Sequence, residues 1–154
     1  MRTILLASLL SAATLYAAPQ GDLHHKNNLL GENVGVAGYD PVSYFPEGGG
    51  KPQRGLIGIS AEYEGVTYRF VSEEHKSRFQ KNPDKYLPAY GGWCAWAAGE
   101  LGKRVDVDAE SFEIRDGRLY LFYRDPKLDT RTLWLPKAEE LINKADSNWP
   151  SLQR

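Results

Sequence analysis

The sequence predicts a small single domain of the α+β class, in which two β-hairpins form an antiparallel sheet packed against three short helices. Three observations carry that prediction. Two stretches alternate apolar and polar residues around an acid-glycine turn, three others carry helix caps or helical spacing, and no repeat or linker divides the chain.

The 154-residue chain opens with an apolar and small-residue run over residues 4–15, too short to span a bilayer and followed by small residues and Pro19. That pattern is a secretory signal peptide, residues 1–17, with cleavage between Ala17 and Ala18. Export follows as the expectation, to a periplasm or the medium, with no membrane segment left after cleavage. Residues 18–32 are polar, with His24, His25, Asn27 and Asn28, and read as a flexible or loosely docked N-terminal arm. Residues 33–154 are then the folded domain.

Residues 34–45 (VGVAGYDPVSYF) read as an extended segment turning at Asp40-Pro41, and the glycine-rich residues 47–52 as a turn without phosphate-loop spacing. Over residues 57–70, Ile59, Ala61 and Tyr63 alternate, Glu64-Gly65 turns, and Val66, Tyr68 and Phe70 alternate again. Ser72 caps a first helix with Glu73 and Glu74 in its opening turn, His75 and Phe79 share its inner face, and Asn82-Pro83 ends it. Trp93 to Gly99, bounded by glycines, reads as a second helix with Cys94 in its first turn. A second hairpin turns at Asp116-Gly117, and its return arm, Leu119 to Tyr123, is apolar on both faces, as a central strand would be. After Pro136, Ala138, Leu141, Ile142 and Ala145 fall at helical spacing, with Trp149 as a packing anchor.

The net charge of −1 becomes −2 once Arg2 leaves with the leader, so nothing attracts nucleic acid or an anionic membrane. Four Trp, nine Tyr and five Phe are ample for a core. Cys94 is the single cysteine, so no intramolecular disulfide can form. A thiol in the opening turn of a helix meets unpaired N–H groups that favour thiolate, and Gly91 and Gly92 leave room to reach it, while Trp93 and Trp96 argue for packing. His75 is the second candidate, since imidazole partners functional thiols as a base or as a second ligand. Asp106 and Asp108 could add oxygens but sit where turn formers sit.

The chain also resembles the exported bacterial YHS-domain proteins. The resemblance rests on GYDPVSYF (38–45), Y-x-F-x-S-x-x-H-x-x-x-F (68–79), NPDKYLP (82–88), YGGWCAWA (90–97), DGRLYLFY (116–123) and ADSNWPSL (145–152), in the family's order. Related cysteine-rich modules hold a metal through a CPxCG-like start and a later cysteine. Here residues 40–43 read DPVS and His75 stands at the later position, which removes those sulfur ligands. The resemblance implies instead that the cysteine of YGG-x-C-A, Cys94, carries soft-metal or redox chemistry, since related proteins can place selenocysteine there.

Three readings stay open. In the first, the chain is a binding module that captures a soft metal ion or metal-bearing ligand through Cys94 with His75, Cu(I) being favoured over zinc. In the second, Cys94 is a single-cysteine redox thiol and the catalytic residue, exchanging with an outside thiol. In the third, the chain is a structural or interaction domain for an exported protein partner and the cysteine is inert.

Overall fold

The computed structural model describes residues 20–154, so the expected signal peptide, residues 1–17, lies outside the described residues. The domain is α+β. Helix α1 (Gln20–Lys26) leads into β1 (Leu29–Leu30) and β2 (Val34–Gly35), then a run of 3-10 turns reaches the hairpin β3 (Leu56–Tyr63) and β4 (Val66–Phe70). Helices α2 (Glu73–Lys81), α3 (Pro83–Tyr86) and α4 (Ala95–Glu100) separate it from the second hairpin, β5 (Asp108–Arg115) and β6 (Arg118–Phe122). Helices α5 (Thr130–Trp134) and α6 (Ala138–Leu152) close the chain.

Both hairpins turn where the sequence places them. Glu64 and Gly65 have φ of 49° and 81°, and Asp116 and Gly117 have 49° and 75°, the paired left-handed geometry that matches strand twist in a two-residue turn. Alternation on β4 sends Val66, Tyr68 and Phe70 into the core and leaves Thr67 and Arg69 half-buried.

The hairpins do not join into one antiparallel sheet. The first belongs to a four-stranded sheet ordered β1-β2-β4-β3, in which β2 runs parallel to β4 through Val34 and Thr67. The second is a two-stranded sheet of its own. The reason lies in β6, which is a partition rather than a central strand. Leu119 and Leu121 pack into one core with Tyr44, Phe70 and Phe79, whereas Tyr120 and Phe122 pack into another with Trp134, Leu141 and Ala98. Apolar residues on both faces signal burial on both faces, and here helices and 3-10 turns supply the second cover. Each such fully buried side chain contributes about 1.5–3 kcal/mol.

The stretch read as a flexible or loosely docked arm, residues 18–32, makes several specific contacts with the domain among its described residues. Leu29 pairs with Gly35, the Asn28 amide donates to the Gly91 carbonyl at 2.8 Å, and the Trp93 indole donates to the His25 carbonyl at 3.2 Å. Gly91 makes this contact possible, because a Cβ there would collide with the Lys26 carbonyl and its φ is +59°. A polar composition conceals such docking, since the contacts are made largely by backbone. No helix among the described residues is long and apolar enough to cross a membrane.

Candidate functional site

The chain between β2 and β3 is short of regular structure and is tied down by side chains instead. Asp40 caps the 3-10 turn Pro41–Tyr44: its Oδ1 accepts the Val42 N–H at 2.8 Å, and Pro41 presets the first turn position. Its own N–H donates to the Gln53 carbonyl at 2.8 Å, and Ser43 Oγ donates back to the Asp40 carbonyl at 2.7 Å. Asp40 is fully buried, which a carboxylate tolerates only when its oxygens are satisfied. The remaining oxygen, Oδ2, accepts the Val71 N–H at 2.9 Å and lies 2.6 Å from His75 Nδ1.

His75 reaches that oxygen because Ser72 caps α2 and accepts the His75 N–H at 3.2 Å, which fixes the helix start and aims position 75 inward. Phe79, one turn on, is buried in the core, as helical spacing predicts. Val42 N, Val71 N and His75 Nδ1 all converge on an acceptor, so Nδ1 carries the proton. In the neutral form of the ring this tautomer leaves the free lone pair on Nε2. Among the described residues Nε2 has no hydrogen-bond partner, and it is not among the sealed, unpartnered atoms. The imidazole side chain keeps 13% of its surface while the carboxylate behind it keeps none. This is the arrangement in which a carboxylate sets the tautomer and orientation of a ring that acts through its outer nitrogen.

Cys94 has different surroundings. It is the cap residue of α4, one position before the first turn, and its side chain receives none of the helix N–H groups. The residue is fully buried. Its sulfur lies 3.4 Å from both the Tyr123 N–H and Thr130 Oγ1. Thr130 spends its one hydroxyl proton on the Tyr123 carbonyl at 3.0 Å, so the Cys94 S–H must be the donor to Thr130 Oγ1. The thiol thus ties the start of α4 to the end of β6 and the start of α5, with its proton in use.

The two candidates share no hydrogen-bond partner: His75 belongs to the Asp40 turn and Cys94 to the β6–α5 corner. A metal on Cys94 would have to displace that S–H contact within a fully buried site, and no hydrogen bond joins the sulfur to His75. Asp106 and Asp108 are engaged as turn formers, accepting from Val107 N–H and Glu110 N–H, with Asn28 and Arg124 as further partners. Among the described residues no group of three or more His, Cys, Asp or Glu side chains could hold a metal ion.

Asp40 and Thr130 are the residues that sequence reasoning passed over. Asp40 carried a signal, an aspartate before proline at a cap, but that pattern marks ordinary turns equally well. A comparison with family models, with curated proteins and with solved structures gave no match for this chain.

Proposed function

We propose that this chain is an exported YHS-like binding module whose recognition group is the His75 imidazole, aimed by Asp40, and in which Cys94 is a structural thiol. The observation that carries the reading is the fully buried Asp40 carboxylate 2.6 Å from His75 Nδ1, with Nε2 left open. A carboxylate buried at that cost in desolvation is worth keeping when it holds a neighbouring ring in one tautomer. One imidazole nitrogen cannot fill a coordination shell, so the matching ligand is a metal ion that brings most of its own ligands. Imidazole suits copper and zinc alike, and the preference for Cu(I) lapses once the thiolate is withdrawn from the site. Export rests on residues 1–17 and the YHS reading on the shared motifs.

The test is nitrogen-15 NMR of the histidine rings during titration with copper or zinc chelates that retain an open coordination position. The His75 Nε2 resonance moves and the response disappears in His75→Ala while Cys94→Ala retains it. No movement in the unaltered protein, or a response lost in a folded Cys94→Ala variant, overturns the reading. The latter result would return the sulfur to the centre of the chemistry.

A further inference from the structure

The start of α5 packs against a break in the β5 ladder. Asp108 pairs with Phe122 and Phe112 with Leu121, so residues 109–111 stand opposite no residue of β6. A bulge of this kind bends its strand and re-aims its side chains. Here Tyr44 donates to the Ala109 carbonyl at 2.7 Å, and the buried Ser111 hydroxyl donates to Asp129 at 2.7 Å, which ties the bulge to the residue that caps α5. A cleft of about 480 Å³ opens at this junction, lined by the half-buried Phe112 and Ile114 and by charged side chains of β5, α5 and the β6–α5 connection.

Every charged group lining the cleft but one is already engaged. Glu113 accepts from Arg115 through one oxygen and from the Trp134 indole through the other. Glu110 accepts from Tyr39 and Arg124, and Arg124 also donates to Asp108. Asp129 accepts the Ser111 hydroxyl and the Arg131 backbone N–H. The Arg131 guanidinium has no acceptor among the described residues. Its Nε is sealed from solvent without a partner, whereas its two terminal nitrogens are not among the sealed, unpartnered atoms.

A donor shut away from water with nothing to accept its proton is destabilising, and folded proteins keep few of them. With Nε shut away, Nη1 and Nη2 form the reachable edge of Arg131. That planar pair of donors matches a carboxylate met end-on. The rest of the lining narrows the choice of ligand. Three carboxylates and two guanidiniums line the cleft, so a dianion such as phosphate meets net repulsion where a single negative charge can be matched by Arg131. Phe112 and Ile114 provide apolar contact for the body of such a molecule.

We infer that this cleft is a binding site for a small monocarboxylate with an apolar body, held end-on by Arg131. His75 is not part of its lining, so the site goes beyond the His75 reading and does not depend on it.

Titration of the purified protein with benzoate, followed by nitrogen-15 NMR of the arginine side chains and of the residue 111–114 amides, tests this. Benzoate moves both sets of resonances saturably, while benzamide, which lacks the charge, and phosphate, which carries too much of it, do not. Arg131→Lys keeps the charge without the fork and weakens binding by about tenfold, and Arg131→Gln abolishes it with unchanged circular dichroism. No saturable shift with benzoate, an equal response to benzamide or phosphate, or binding undiminished in either variant overturns the inference. Benzoate binding persists in His75→Ala, so its failure and that of the His75 reading are separable.

Discussion

The Cys94 thiol lies 3.4 Å from Thr130 Oγ1, and because the Thr130 hydroxyl proton is already given to the Tyr123 carbonyl, sulfur is the donor of that contact. The thiol therefore acts as a buried hydrogen-bonding link between α4, β6 and α5. Cys94→Ala leaves the Tyr123 N–H without its acceptor and costs about 2 kcal/mol, while Cys94→Ser, which keeps a donor and acceptor, costs about half of that. Denaturant midpoints measure both. In the native protein a thiol reagent labels Cys94 only at the rate of structural opening, and rapid labelling under native conditions would refute the buried assignment.

Asp40 accepts three N–H donors within a buried turn, so its replacement strands all three. Asp40→Ala destabilises the domain by about 3 kcal/mol or more. Asp40→Asn keeps the shape but presents an amide NH2 to donors, which costs roughly 1–3 kcal/mol and releases the ring of His75. Nitrogen-15 shifts report the change: the neutral ring is Nδ1-protonated in the unaltered protein and becomes a tautomer mixture in Asp40→Asn. An unchanged tautomer would show that Asp40 does not set it.

Gly91→Ala probes the docking of residues 23–30. The added methyl collides with the Lys26 carbonyl, so the cheapest relief is release of the arm rather than unfolding of the core. The expected result is rapid proteolysis after Lys26 and an altered Trp93 emission, with the remaining domain still folded. Protease resistance equal to that of the unaltered protein would count against this account.

Alkaline pH should unfold the domain through its buried tyrosines. Burial pushes the Tyr44 and Tyr68 hydroxyls well above their ordinary value of 10.0, and Tyr44 donates to the Ala109 carbonyl at 2.7 Å. An acid whose folded pKa is raised contributes stability that is complete below its unfolded pKa and is lost as pH climbs past it. Stability is then flat below about pH 9 and falls from about pH 10 upward. Tyr44→Phe makes that fall shallower, and coincident loss of circular dichroism and tyrosinate absorbance checks the coupling.

The hairpin turns, the Ser72 cap and the Phe79 face were legible because each is decided within a few neighbouring residues. The helix at Cys94 was legible only approximately: the spacing marked a helix near Trp93, but Cys94 proved to be its cap, and one position decides whether a thiol meets the helix N–H groups. The both-sides-apolar pattern of residues 119–122 reported burial correctly and pairing incorrectly, since periodicity records which faces leave water and not what covers them.

Sequence alone determined the α+β class, the hairpin turns, a single cysteine free of disulfide partners and two candidate side chains worth locating. Tertiary structure alone decided that His75 meets Asp40, 35 residues earlier, and that Cys94 meets Thr130, 36 residues later. Turns and caps are settled by local sterics and nearby backbone bonds. Which acceptor a buried proton finds depends on how the two cores close around β6, and no local pattern encodes that.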